Sequence, residues 1–162
     1  MQKSLCQSLP FGRSLAILTK SYYAALSKRL EHLEIARYYS VLILIDNQQG
    51  QGCTQQFLCD QLKIDKVSMV RIIQYLIEKN FILKVVNPAD RRANLVALTP
   101  KAIQSMPQIY HAIDEVNEAA LKGLSTSGRQ ALMNQLSRIQ ENLDRLPADL
   151  IFINYKKSSK KS

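Results

Sequence analysis

The stretch from Thr54 to Pro100 reads TQQFLCDQLKIDKVSMVRIIQYLIEKNFILKVVNPADRRANLVALTP, and it divides into three parts. Thr54 is a favoured helix N-cap type, and Leu58 and Leu62 stand one helical turn apart, so the first part is a short helix. Lys63-Ile64 is a tight link. Asp65 caps a second helix that runs to about Lys79, and Asn80, which tolerates the left-handed conformation, ends it. Its inward face reads as Val67, Val70, Ile73, Leu76 and Ile77, and its outward face as Lys66, Ser68, Met69, Arg71, Ile72 and Gln74. The third part has two β-rich runs, 81–86 and 94–98, around an Asn87-Pro88-Ala89-Asp90 turn. That is a hairpin with Asp90, Arg91 and Arg92 at its tip. Two short helices, a tight turn and a basic hairpin make a winged helix-turn-helix.

The flanks are helical. Residues 9–31 carry an apolar repeat through Leu15, Leu18, Tyr22, Leu26 and Leu30, with Pro10 suited to a helix start. Residues 36–47 are rich in Leu, Ile and Val, and Asn47, Gly50 and Gly52 break the chain. Thr99-Pro100 begins a long helix to about Lys122, with Pro107 expected to kink it. Gly123 closes that helix, and Leu124-Ser125 opens a last one that Pro147 stops. The fold class is therefore mainly α, a winged helix-turn-helix with a two-stranded β wing and long terminal dimerisation helices. The expected divisions are 1–47 (supporting and dimerisation helices), 48–100 (DNA-binding unit), 101–146 (dimerisation helices) and 147–162 (a lysine-rich tail).

Charge locates the partner. The chain carries a net +9, which favours an anionic partner such as nucleic acid. Residues 54–101 hold +4 of it, whereas 102–146 sum to −1. No stretch approaches eighteen uninterrupted apolar residues, and the N-terminus lacks a signal-peptide pattern, so a cytoplasmic protein with no membrane partner is expected. No nucleophilic triad, phosphate loop or paired carboxylates occur at useful spacing, which argues against an enzyme. His32 and His111 stand without partners at ligand spacing, so no metal or other cofactor is expected. The three cysteines, Cys6, Cys53 and Cys59, fit no metal motif and read as reduced thiols.

A helix of this size fits the major groove, its N-terminal side chains reaching base edges, while a wing arginine suits the negative minor groove. Thr54, Lys66, Ser68, Met69, Arg71, Gln74, Lys84, Asp90, Arg91 and Arg92 are the candidate double-stranded-DNA contacts. The series Thr54, Leu58, Leu62, Asp65, Ser68, Arg71, Leu76, Phe81, Ile82, Asp90, Arg92, Leu98 and Thr99 resembles, in register, the pattern of the MarR family of transcription regulators. Two positions depart from it. Asn80 replaces the glycine after the recognition helix, and Lys84 replaces an arginine, keeping charge but losing the bidentate fork.

The resemblance, over about residues 10–146, implies a bacterial homodimer interlocked through the first helix and the last two. The apolar repeat Ile109, Ile113, Val116, Leu124, Leu132, Leu136, Ile139 and Leu143 agrees, being too extensive for one small domain to bury. Two-fold symmetry implies a pseudo-palindromic operator. The regulator is a repressor first and an activator as the alternative sign. A winged-helix adaptor that docks on protein is the alternative function, since fold alone does not fix function. The resemblance also implies a cleft for a small phenolic or aromatic anion that releases DNA. Arg13, Tyr22, Arg37, Tyr38 and Tyr110 are its candidate residues, with Tyr23 and Tyr39 nearby. One branch of the family senses peroxide through a first-helix cysteine, but Cys6 falls too early for that place and Cys59 falls at a core position.

Overall fold

The computed structural model describes residues 10–35, 37–87 and 94–147. Asp90, Arg91, Arg92, Cys6 and the lysine-rich tail lie outside the described residues.

The element order is α1 (Phe11–Arg29), a 3-10 turn (Glu31–Leu33), α2 (Tyr39–Asp46), β1 (Cys53–Thr54), α3 (Gln55–Leu62), α4 (Lys66–Glu78), β2 (Ile82–Val86), β3 (Asn94–Leu98), α5 (Pro100–Ala120) and α6 (Thr126–Asp144). Four helix starts are made by the residues that sequence picks out. Thr54, Asp65, Thr99 and Ser125 each accept, through the side chain, the backbone N–H three residues on. Such a bond satisfies one of the otherwise unpaired first-turn donors. Helix α5 continues through Pro107 from Pro100 to Ala120.

The sheet has three antiparallel strands, ordered β1-β3-β2, not the two of a bare hairpin. Ile82 pairs with Leu98 and Val86 with Asn94, while Cys53 and Thr54 pair with Val96 and Leu95. Gly52 admits the extra strand. Its φ is +70°, and a β-carbon there would stand 2.8 Å from the Val96 carbonyl oxygen, a contact no side chain tolerates.

One core binds these parts. Leu26 and Leu30 of α1, Val41, Leu42 and Ile45 of α2, Leu58 of α3 and Ile109 and Val116 of α5 are all buried. From α4 the core receives Met69, Ile72, Ile73 and Leu76, with Phe81 and Ile82 behind them. This corrects the expected phase of α4. Val67 and Val70 are not inward but exposed, and Met69 and Ile72 are not outward but buried. The helix carries two apolar stripes, and the bulkier one, with i, i+3, i+4 and i+7 spacing, fills the core.

Thr99 fixes the wing to the rest. Its hydroxyl donates to the Asn80 carbonyl at 2.7 Å, and its N–H donates to the Phe81 carbonyl at 3.0 Å. Asn80 is left-handed, with φ 58°, so it does the work of the absent glycine. The chain thus leaves α4, forms the hairpin and returns to start α5 at the point where it left.

Helix α6 differs from the rest: none of its residues is buried in the protomer. Leu132, Met133, Leu136 and Leu143 are exposed on it, as are Phe11, Ile17 and Leu18 on the first half of α1.

Candidate nucleic-acid interface

The core fixes the rotation of α4. With Met69, Ile72, Ile73 and Leu76 inward, helical periodicity turns Val67, Val70, Arg71, Gln74 and Glu78 outward. Lys66, Val67, Val70, Arg71 and Gln74 are all exposed. Met69 is fully buried, which removes it from the expected DNA-contact set.

The start of α4 is held from two sides. Asp65 Oδ1 accepts the Ser68 N–H at 2.9 Å, and the Gln55 side-chain amide of α3 donates to the Lys66 carbonyl at 3.4 Å. Hydrogen bonds from the Ser68 side chain and then its backbone hold the Asp65 carboxyl below the usual carboxylate range. Ser68 is half-buried and engaged in this cap. Thr54 likewise caps α3, accepting from Phe57 N at 3.1 Å. Gln74 lies outward, its amide donating to Glu78 at 3.0 Å. At the far end of α4, the Tyr75 hydroxyl donates to the Glu34 carbonyl at 2.5 Å and Lys79 pairs with the Glu34 carboxylate at 3.2 Å. The outward helix is therefore fastened at both ends.

Lys84 is exposed on β2, opposite Val96 of β3. The hairpin directs the chain toward residues 88–93, where Asp90, Arg91 and Arg92 lie outside the described residues. Lys66, Arg71, Gln74 and Lys84 are thus the exposed members of the expected contact set. Thr54 and Ser68 are drawn into caps.

The expected ligand residues do not share one feature. Tyr22 donates to Asn117 Oδ1 at 2.8 Å across the α1–α5 contact, and burial raises its pKa. Tyr110 donates to Asp46 Oδ2 at 2.7 Å; burial and that bond push its pKa up to about 12. The half-buried Tyr38 stacks its ring edgewise on Tyr75, centroids 5.3 Å apart. Arg37 is half-buried, and Arg13 is exposed near the start of α1. A shallow cleft of about 410 Å³ lies elsewhere, between the end of α1 and α5, where Arg29, His32, Gln108, His111 and Glu115 line it. The His32 ring lies 3.2 Å from the Gln108 amide oxygen, and Arg29 pairs with Glu115 at 3.2 Å.

Cys53 and Cys59 are buried. Burial pushes the Cys53 thiol up to about 11 and raises that of Cys59 as well, which suppresses thiolate formation at both.

Residues 25–93 match the model of the MarR family. The fold is similar to that of a MarR family transcriptional regulator from Listeria monocytogenes, solved in complex with a 26-mer DNA. Identity is 25%, covering 83% of this chain and 89% of that one, with a TM-score of 0.75. A MarR transcriptional regulator from Methanosarcina mazei is 26% identical over 83% of this chain and 97% of its own, with a TM-score of 0.74. The transcriptional regulator SlyA, at 21% identity and a TM-score of 0.75 over 83% of this chain and 94% of its own, shares the fold. All three of these similar structures are of transcriptional regulators. The order α3, α4, β2 and β3 is that of a winged helix-turn-helix, with β2–β3 in the place of the wing. No described helix is long and apolar enough to cross a membrane.

Proposed function

We propose that this chain is a regulator of the MarR kind, which binds DNA sequence-specifically and acts as a homodimer on a pseudo-palindromic operator. Helix α4 enters the major groove and the wing lies along the adjacent minor groove. The observation that carries the reading is the outward face of α4. Lys66, Arg71 and Gln74 project from a helix capped at its start and packed into the core, which is how base-reading side chains are held. Lys84 on β2 extends the cationic face to the wing, where Arg91 and Arg92 are the proposed phosphate and minor-groove contacts. The Listeria relative, solved with DNA, supports the same partner.

The dimer reading rests on α6. A 19-residue helix tied to α5 by the Arg129–Glu118 ion pair but with no buried residue packs no apolar face into its own protomer, and most helical stability in proteins comes from packing an apolar face. A second copy covering Leu132, Met133, Leu136 and Leu143 supplies that packing. Repression is the proposed sign of regulation, in the cytoplasm. A small phenolic or aromatic anion, bound beside Arg13, Tyr22, Arg37, Tyr38 or Tyr110, is the proposed effector class. It acts only if it favours a dimer state whose recognition helices are wrongly spaced.

The test is fluorescence anisotropy of the full chain on the duplex that flanks its own gene, with random competitor, at two salt concentrations. Binding that survives competitor is the expected result, with log affinity falling by about 0.9 per phosphate neutralised for each tenfold rise in salt. Binding abolished by random duplex, for this site and for sites selected from a random pool, overturns the reading.

A further inference from the structure

We infer that Val67 and Val70 form an apolar reading surface for thymine methyl groups, so that thymines in each half-site are recognised by these two side chains. The inference rests on the DNA-binding reading above and adds to it the chemistry of the bases.

Both valines are plainly in water in the protomer, Val67 at 63% exposure and Val70 at 49%. They lie on the same side of α4, roughly 60° apart around the helix at 3.6 residues per turn. Nothing in the local fold accounts for them there. Valine is a poorer helix former than alanine, because its branched β-carbon restricts χ1 against the preceding turn. At an exposed position that cost is not offset by burial. The core needs neither residue, since Met69, Ile72, Ile73 and Leu76 already fill the inward face.

The surroundings select the occupant. Lys66 and Arg71 adjoin the two valines, and Gln74 follows one turn beyond Val70. An apolar pair set among cations and an amide suits an anionic surface that carries small apolar groups. The major groove is such a surface: thymine's C5-methyl is the apolar group that its base edges present. Val67 and Val70 occupy the N-terminal part of α4, the part of a recognition helix that reaches base edges. Their α-carbons are about 4.5 Å apart along the helix axis, against a rise of about 3.4 Å per base pair. The two therefore address methyl groups on neighbouring base pairs. Arg71, next to Val70, suits the O6 and N7 acceptors of a guanine beside them.

The test uses an operator selected from random duplexes with the full-length protein, rebuilt with uracil in place of thymine one position at a time. Uracil keeps every hydrogen-bonding group and lacks only the methyl. Removing one contacted methyl is expected to weaken wild-type binding about fourfold, the equivalent of roughly 0.8 kcal/mol for one buried methyl-sized group. Val67→Ala and Val70→Ala are each expected to weaken thymine-operator binding and to lose the uracil penalty at one position per half-site. That loss of sensitivity separates methyl contact from any effect of uracil on duplex shape. Both variants keep the fold, because alanine is the better helix former and neither site is in the core; circular dichroism checks this. Sequence-selective binding with no uracil penalty at any position overturns the inference and leaves the DNA-binding reading intact. So does a penalty that persists unchanged in both alanine variants. Failure to select any duplex removes the DNA-binding reading and this inference with it.

Discussion

Asp65 Oδ1 accepts the backbone N–H of Ser68 at 2.9 Å, and the helix that this bond starts is the one whose outward face carries Lys66, Val67, Val70, Arg71 and Gln74. Loss of the cap therefore affects stability and recognition together. Asp65→Ala is expected to lower folding stability, the usual effect of removing an N-cap side chain, and to weaken operator binding. Asp65→Asn, which keeps an acceptor at the same place, is expected to restore most of both. The pH dependence has a definite sign. The native carboxyl is held below its ordinary range, so its contribution is full above that range and is lost as pH falls through the native value. Urea melts of the three proteins at neutral and acidic pH measure it. Equal stability of Asp65→Ala and wild type at neutral pH would remove the cap from the account.

The phase of α4 predicts opposite outcomes at neighbouring positions. Met69→Ala is expected to destabilise by about 2–5 kcal/mol, because a fully buried side chain leaves a cavity. Val70→Ala, at an exposed site, is expected to be neutral or slightly stabilising. Chemical denaturation compares the two. A costly Val70→Ala beside a harmless Met69→Ala would mean that the helix is rotated.

The contrast at α4 also shows where sequence reading reaches its limit. The caps at Thr54, Asp65, Thr99 and Ser125 are legible because each is a local rule: an oxygen-bearing side chain bonds a backbone N–H three residues on. Asn80 is legible for the same reason. The rotation of α4 is not local, since the valines and the Met69–Leu76 stripe both repeat with helical spacing and only the neighbouring elements choose between them. Strand β1 is two residues long, too short for any periodicity, and exists because Gly52 lets the chain lie against Val96. Tyr22 and Tyr110 find their partners 95 and 64 positions away, so no spacing reveals that their hydroxyls are engaged.

Burial makes the two described cysteines unreactive. With Cys53 pushed up to about 11 and Cys59 raised as well, little thiolate exists near neutral pH in the folded protein. An aromatic disulfide reagent at pH 7.5 is expected to modify Cys53 and Cys59 slowly, and at the rate of free thiols once denaturant is added; peptide mapping assigns the sites. Because the native pKa is raised, the stability that Cys53 contributes is full below the ordinary thiol range. It is lost as pH climbs toward about 11. Rapid modification of Cys59 in the native state would reopen oxidant sensing at that position.

Helix α6 carries the last prediction. Leu132 and Leu136 lie one turn apart and are exposed in the protomer, so the double substitution Leu132→Glu with Leu136→Glu leaves the core of the winged helix untouched. If a second copy covers this face, four buried carboxylates per dimer are intolerable. The variant should then run as an 18.4 kDa monomer in light scattering. A monomer holds one half-site at a time and forgoes the gain from making the second contact intramolecular. Operator affinity should therefore drop by roughly 10²–10⁴-fold, while an unchanged circular dichroism spectrum of the helix-turn-helix separates this loss from unfolding. A variant that stays dimeric and binds the operator normally places the interface elsewhere. The exposed Phe11, Ile17 and Leu18 of α1 are then the next face to test.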